Sequence, residues 1–255
     1  MLRNSYSFMG ALLVAMLVAA PGAGAAGKIP AGISAAVADA GRPAEDKARD
    51  ADRKPAEVIA FAGIKSGEHV AELLPGGGYF TRIFAKVVGD KGVVYALAPP
   101  PRPNAPAGAP DMMATATSLA AVYTNVKAVP LSADSVAPEP VDLVWTSLNY
   151  HDLHNRPNAD LGAFNKNIFN GLKPGGVYIV IDHAATAGSG ARDTSTLHRI
   201  DVETVKTEVE SAGFKLEAQS DLLHNAQDPH TANVRDPSIR GKTDQFVLKF
   251  VKPKK

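Results

Sequence analysis

The sequence has no cysteine, almost no net charge and few aromatic residues. Across 255 residues, 27 Lys and Arg balance 26 Asp and Glu, and aromatic side chains make up 6%. Without cysteine there is no disulfide framework, thiol nucleophile, iron–sulfur cluster or cysteine-type zinc site. A net charge of +1 gives no field that would attract nucleic acid or an anionic membrane. The remaining composition is that of a globular chain, long enough for one domain with its own core.

The first 25 residues have the layout of a secretory signal peptide. Arg3 precedes the apolar run 11–20, and small residues follow up to Ala25. The run is too short for a permanent membrane span, which needs about 20 residues. We therefore predict an exported protein, periplasmic or secreted, that keeps no membrane anchor after cleavage.

Apolar runs alternate with helical segments along the rest of the chain. The predicted strands are 69–74, 93–97, 126–129, 141–146, 177–182, 214–222 and 244–251, and the predicted helices are 79–88, 112–123, 159–172 and 202–212, the last capped by Asp201. Strands with continuous apolar runs are typical of a parallel sheet covered by helices on both faces. We predict an N-terminal arm over residues 26–52. A single α/β domain is predicted over 53–255, a doubly wound, mostly parallel sheet with an antiparallel C-terminal strand.

A glycine-rich turn lies between the first predicted strand and its helix. It reads Glu72-Leu-Leu-Pro-Gly-Gly-Gly78, and such a turn lets a ligand approach backbone N–H groups at a helix N-terminus. It matches neither the dinucleotide-binding fingerprint nor the nucleoside-triphosphate loop.

Three segments together resemble class I S-adenosylmethionine (SAM)-dependent methyltransferases. They are the first motif at 70–79, the fourth strand at 141–146, and the Lys-Pro-Gly-Gly entry to the fifth strand at 172–182. The resemblance implies a methyltransferase-like Rossmann-type fold. It also implies a set of SAM-contacting positions: Glu72, Gly76, Gly77, Gly78 and, on the adenine side, Asp134.

The sequence departs from that family at two cofactor positions. Leu74 stands where the first glycine of the motif is expected, and Ala98 ends the second strand where the family has an acid that binds the ribose. Losing such a charge-assisted hydrogen bond costs about 1.5–3 kcal/mol. The predicted export adds a third departure, because SAM is made inside the cell. We therefore favour a protein that works without the cofactor.

Histidines are concentrated where predicted strands end. Four of the seven lie in rim segments after the fourth and fifth strands, at a sheet edge where ligands of α/β proteins bind. We predict His151 and His183 as general acid and base, Asp152 and Asp182 as their orienting carboxylates, and Arg199 as an anion clamp, with Tyr150 and His198 as further catalytic candidates. An alternative is a divalent metal held by His151, His154, His183 and an Asp if that segment is helical; the favoured site has no metal.

Further basic and aromatic residues are candidates for binding the substrate. Arg192, Arg235 and Arg240 could hold an anionic group, and the long stretch 224–242 could form a flap over the rim. Tyr79 and Tyr150 would suit a flat substrate, whereas Trp145 is expected in the core.

These observations lead to three alternative functions for the protein. The first is an exported enzyme that performs cofactor-independent acid/base chemistry on a small aromatic or anionic molecule, as a lyase or isomerase. The alternatives are a genuine SAM-dependent methyltransferase of a small molecule and a non-catalytic small-ligand-binding protein.

Overall fold

The computed structural model describes residues 28–101, 108–109, 111–132 and 136–254. The predicted signal peptide and Asp134 therefore lie outside the described residues. Within those ranges, the helices are all too short or too polar to cross a membrane.

One sheet of seven strands carries the fold. The strands are β1 (His69–Leu73), β2 (Val93–Ala98), β3 (Val126–Pro130), β4 (Val141–Ser147), β5 (Leu172–His183), β6 (Lys215–Ser220) and β7 (Gln245–Val251). Their spatial order is β3-β2-β1-β4-β5-β7-β6. Strand β7 runs antiparallel to β5 and β6, and the other neighbouring pairs are parallel. The predicted doubly wound sheet with an antiparallel last strand is confirmed.

Helices follow the strands in the predicted alternation. They are α1 (Ala31–Val37), α2 (Ala44–Lys47), α3 (Asp50–Arg53), α4 (Pro55–Ala62), α5 (Tyr79–Val88), α6 (Met112–Val122), α7 (Tyr150–His154), α8 (Leu161–Gly171) and α9 (Val202–Ser211). The predicted helix 79–88 is α5 itself. Asp201 caps α9 as predicted, because its carboxylate accepts a hydrogen bond from the backbone N–H of Glu203.

The short helix α7 falls in the rim segment after β4, for which the sequence leaves open whether it is helical. Asn149 stands at the N-cap position but makes no side-chain cap there; its amide donates to the carbonyls of Leu74 and Ser147 instead. The buried carboxylate of Asp182 accepts the backbone N–H of His151 at 2.7 Å, so a group from β5 stabilises the first turn. Tyr150 and Leu153 are buried beneath it. Tertiary contacts therefore make this helix.

Hydrophobic side chains cover both faces of the sheet. One cluster joins Ile59 and Phe84 to Trp145, and the other joins Ile168 and Tyr178 to side chains of the last strands. Trp145 is fully buried, as expected for a core residue. With both faces covered, the carboxyl edge of the strands remains for ligands.

The predicted N-terminal arm is a set of short helices fastened to α5. Arg42 donates two hydrogen bonds to the Asp50 carboxylate, at 2.8 and 2.7 Å, and the Tyr79 hydroxyl donates to the same carboxylate at 2.6 Å. This attachment carries Arg49 and Arg53 over the Tyr79 ring, beside the carboxyl ends of the strands.

Candidate functional site

A cleft of about 660 Å³ opens at the carboxyl edge of the sheet. Its walls come from the arm and α3, the loop after β4, the end of β5, and the segment that precedes β7. The polar side chains that line it include Arg49, Asp52, Arg53, His183, Arg240 and Thr243. Its volume lies within the range of roughly 300–1,000 Å³ that small-molecule sites occupy. The cleft can therefore hold a small molecule.

Positive charge dominates this cleft. Within the described ranges, Arg49, Arg53 and Arg240 form no ion pair, whereas Arg42, Arg82, Arg192 and Arg199 each pair with an aspartate. Burial lowers the pKa of Arg53 to about 10, which still leaves the group charged at neutral pH. Asp52 is the one acid that lines the same cavity. The arrangement suits an anionic ligand.

His183 ends β5 and lines this cleft. Its Nδ1 lies 2.7 Å from the Thr243 hydroxyl, and its Nε2 has no recorded hydrogen bond to any described residue. Burial lowers the pKa of His183 to about 4; Asp182 opposes this effect, while His151 and Arg199 add to it. At neutral pH the imidazole is therefore neutral and able to accept a proton.

Asp182 connects the two histidines at this end of the sheet. Its Oδ1 lies 2.8 Å from Nδ1 of His151 and also accepts the backbone N–H of His183 at 2.8 Å. Burial lowers the pKa of His151, but the charge and hydrogen bond of Asp182, together with the charge of Asp152, outweigh burial and hold the pKa above its ordinary value. Burial would likewise raise the pKa of Asp182, yet His151 holds it below its ordinary value. Asp182 therefore contacts the ring of His151 but only the backbone N–H of His183.

His151 faces a second cluster instead of the cleft. Asp152 Oδ1 lies 3.4 Å from His151 Nε2 and 3.4 Å from His198 Nδ1, and the two rings meet edge to face. His151 is only 3% exposed, and neither it nor its two neighbours in the cluster line the cleft. His151 therefore does not line the cleft that His183 lines, and their pairing as acid and base stays a prediction.

Tyr150 and His154 point away from the rim. The Tyr150 hydroxyl donates to Glu208 of α9 at 2.8 Å and accepts a hydrogen bond from Asn165 of α8, and its side chain is fully buried. His154 also contacts Glu208, at 3.2 Å. Tyr150 is therefore a packing residue. Although the segment is helical, the predicted metal set of His151, His154 and His183 is not brought together.

Arg199 is bonded to the segment 224–242 and is not free to clamp a substrate. It is fully buried, and its guanidinium donates two hydrogen bonds to Asp228, at 2.8 and 3.0 Å, and others to the carbonyls of Ala184 and Ala232. The predicted role of Arg199 as an anion clamp is wrong, because its guanidinium is already paired with Asp228. The sequence alone does not show this pairing. Among the other arginine candidates, Arg192 pairs with Asp193, Arg235 is exposed, and Arg240 reaches the cleft.

The glycine-rich turn lies beside the cleft and shares Arg49 and Arg53 with it. Added Cβ atoms at Gly76 and Gly77 would meet nothing within 4 Å, so the turn faces open space there. Gly78 is different, because a Cβ would come within 2.3 Å of the Leu119 side chain and the residue has a φ of +78°. Burial raises the pKa of Glu72 to about 8, although a hydrogen bond from Thr81 opposes the shift.

The described residues do not fit SAM at two points. Leu74 takes the family's glycine position with a φ of +54°, and its side chain is buried. Ala98 is fully buried at the end of β2, and its carbonyl accepts the N–H of Leu131. At both positions the chain therefore lacks the residue that the SAM-binding motif has there.

Arg49, Arg53 and Thr243 are cleft residues that the sequence did not reveal. Arg49 and Arg53 stand four residues apart in a polar segment, a spacing that places two side chains on one helical face. That spacing alone is common on solvated helices. Their position in the cleft is evident only from the way in which the arm is attached to α5.

Comparisons with known proteins identify the fold. No protein-family model matches the sequence, and no curated protein matches it. Three solved structures illustrate its likenesses. An Aquifex aeolicus SAM-dependent methyltransferase has 18% identity and a TM-score of 0.54, covering 83% of this chain and 98% of that one. An arsenic(III) SAM methyltransferase from Chlamydomonas reinhardtii has 15% identity and a TM-score of 0.52, covering 88% and 74%. The [4+2]-cyclase SpnF has 17% identity and a TM-score of 0.53, covering 85% of each chain.

These likenesses confirm the fold that the sequence motifs implied. The chain has the class I methyltransferase-like fold, with seven strands in one sheet and the last strand antiparallel.

Proposed function

We propose that the chain is an enzyme that binds a small anionic molecule in the arginine-lined cleft and transforms it by acid/base chemistry without a bound cofactor. One observation carries the proposal: a neutral imidazole, that of His183, lines the same cavity as Arg49, Arg53 and Arg240, none of which has a carboxylate partner among the described residues. Unpaired cations favour an anion, and a neutral histidine can take its proton.

The cleft supports reactions that need only positioned protons. His183 would accept a proton from a carbon or hydroxyl beside the anionic group, and the arginines would stabilise the negative charge that develops. Elimination, isomerisation and carbon–carbon cleavage belong to this class. One protein of similar structure is a [4+2]-cyclase. Its name denotes a reaction other than methyl transfer, and this supports the proposal.

Ligand binding would also make His183 a better base. In the free protein, the positive charges of Arg199 and Arg53 are among the causes that lower its pKa. A bound anion would offset those charges and raise the pKa towards neutrality, where a general base is most effective. Asp182 would act as a positioning residue, because its carboxylate accepts the backbone N–H of His183.

The test is turnover of small carboxylates without added cofactor, followed by NMR. Wild-type protein should convert at least one aromatic or hydroxylated carboxylate, and His183→Gln should lower kcat by a factor of roughly 10²–10⁴. His154→Gln is the matched control, since that histidine contacts Glu208 outside the cleft. Equal conversion by His183→Gln and wild type would contradict the proposal. Binding without turnover would favour a ligand-binding protein.

A SAM-dependent methyltransferase is the second candidate. The fold and the open turn at Gly76 and Gly77 favour it, whereas Leu74 and Ala98 oppose it. Gly77→Asp tests it cleanly because the new side chain would enter open space. If SAM is the cofactor, calorimetry should show binding to wild type and its loss in Gly77→Asp. Gly32→Asp, in equally open space on α1, is the matched control.

We also propose that the protein is exported, on the basis of the signal-like residues 1–25. The mature chain would begin near residue 26. N-terminal sequencing of the protein recovered from the extracytoplasmic fraction tests this. Recovery of the chain only from the cytoplasm, with residues 1–25 intact, would contradict it.

A further inference from the structure

We propose that His151, Asp152 and His198 form a site for one divalent transition-metal ion at the rim of the sheet, separate from the arginine-lined cleft. Each residue offers one ligand atom, and these three atoms lie within 4.8 Å of one another. The site does not depend on the proposed acid/base function, because none of the three residues lines the cleft.

The spacing matches the coordination shell of zinc. Asp152 Oδ1 lies 3.4 Å from Nε2 of His151 and 3.4 Å from Nδ1 of His198. Ligands at about 2.0–2.1 Å from a tetrahedral zinc ion stand roughly 3.3 Å apart. The carboxylate is therefore already at the coordination spacing from both imidazoles. The two imidazole nitrogens lie within 4.8 Å of each other, so one ring has to approach the other by up to about 1.5 Å to complete the triangle.

Asp182 holds His151 in the orientation that a metal ligand needs. Its carboxylate engages Nδ1 of His151 at 2.8 Å and the backbone N–H of the same residue at 2.7 Å. Metal-binding histidines characteristically donate their second ring nitrogen to a carboxylate in this way, which leaves the first nitrogen free for the ion. With Nδ1 engaged, Nε2 of His151 faces Asp152.

His198 is held toward the same point by its backbone. It has a φ of +56°, in the left-handed region that non-glycine residues seldom adopt. The chain is fixed on both sides, since the Leu197 carbonyl accepts the N–H of Val234 and the Ile200 N–H donates to the His183 carbonyl. The Nδ1 atom of His198 is buried and has no hydrogen-bond partner among the described residues. A metal ion would satisfy that nitrogen.

Charge and ligand type indicate which ions fit. The carboxylates of Asp152 and Asp182 together balance a divalent cation, while the exposed Arg235 is a nearby opposing charge that acts on His151. Two imidazoles and one carboxylate suit zinc, iron(II) or cobalt(II), and three protein ligands leave an open position for water or substrate.

The experiment uses untagged, chelator-treated protein titrated with Co²⁺ by visible absorption and with Zn²⁺ by calorimetry. We expect one equivalent per chain and the intense absorption of low-coordinate Co²⁺. His198→Ala and Asp152→Asn should each weaken affinity at least tenfold. His154→Ala, on the same helix but facing Glu208, and His224→Ala, which contacts Asp244, should bind as wild type does.

Two results would overturn the site. One is no saturable binding of either ion, and the other is unchanged affinity in both His198→Ala and Asp152→Asn. Circular dichroism of each variant distinguishes a lost ligand from a lost fold. Asp152 is nearly half exposed, so Asp152→Asn should remain folded even if His198→Ala does not.

Discussion

His151 and His183 lie with ring centroids 5.9 Å apart, yet their surroundings shift their pKa values in opposite directions. Asp182 engages the ring of His151 and raises its pKa despite burial. His183 receives the same carboxylate only through its backbone N–H, lies in the arginine-lined cleft, and has its pKa lowered to about 4. Neighbouring groups with opposed pKa values commonly divide acid, base and ligand roles. The difference teaches that a carboxylate against the ring raises a buried histidine's pKa, whereas burial prevails where the carboxylate meets only the backbone N–H.

Removing that carboxylate should have the largest effect. Asp182→Asn leaves His151 buried without its charge partner, and breaking a buried pair costs about 3–5 kcal/mol. Urea unfolding should show a loss of this size, and NMR should show the pKa of His151 falling. Glu203→Gln, which breaks the exposed pair with Lys206, is the control and should cost at most about 1 kcal/mol. An equal loss in both variants would contradict the role given to Asp182.

Breaking the buried Arg199–Asp228 pair should lower the free energy of unfolding by almost as much. Arg199→Met leaves the buried Asp228 carboxylate without its charge partner, so the free energy of unfolding should again fall by about 3–5 kcal/mol. Arg240→Met changes an exposed, unpaired arginine of the same cleft region and should leave the free energy of unfolding nearly unchanged. Calorimetric unfolding of the two variants compares the stability loss at Arg199, which has a structural role, with that at Arg240, which is proposed to bind the ligand. Similar losses would show that the cleft arginines are structural too.

Lowering the pH should reduce the free energy of unfolding, in part because His183 becomes protonated. Its folded pKa of about 4 lies below the ordinary 6.5, so the unfolded chain takes up the proton first. The stability it contributes is complete above pH 6.5 and is lost as the pH falls towards 4, by up to about 3 kcal/mol. His151 has the opposite sign: its contribution is present below pH 6.5 and is lost as the pH rises through its raised folded pKa.

Unfolding between pH 7 and pH 4, in buffer with a chelator, tests these signs. The free energy of unfolding of His183→Gln should fall less steeply with acid than that of wild type. His151→Gln should not relieve this loss. A wild-type and a His183→Gln profile that run parallel would show that His183 titrates at its ordinary pKa.

Arg53→Gln should have the smallest effect on stability. Its guanidinium forms no ion pair within the described ranges and only stacks on Tyr79 and Phe80, so the change should be about 1 kcal/mol or less. The pKa of His183 should rise, because one of the cations that lowers it is removed. Histidine NMR titration measures this, with Lys65→Gln as a remote control. No change in the His183 pKa would mean that the cleft charges do not act on it.

The fold was largely predictable because its signals are local. The apolar runs predicted all seven strands, α5 was predicted at both ends, and the Asp201 cap placed the start of α9. Helix α7 was missed, since a carboxylate from β5 stabilises its first turn. Strand β5 begins five residues earlier than predicted, because polar Lys173 and the glycines after it conceal its first half.

The site was predictable only in part, because side-chain partners are distant in sequence. Asp182 was named as an orienting carboxylate, but the sequence did not show which histidine ring it contacts. Arg199 and Tyr150 were assigned to the site because nothing local reveals Asp228 or Glu208 as their partners. Arg49 and Arg53 were missed for the same reason, since the Arg42–Asp50 and Tyr79–Asp50 contacts that position the arm join separate segments.

The most direct test of the central claim is conversion of small carboxylates, without SAM or other cofactor, by wild type, His183→Gln and the Arg53→Gln/Arg240→Gln double variant, followed by NMR. We expect conversion by wild type, loss of kcat in His183→Gln and a raised KM in the double variant. Conversion that appears only when SAM is added, or that survives His183→Gln undiminished, would contradict it.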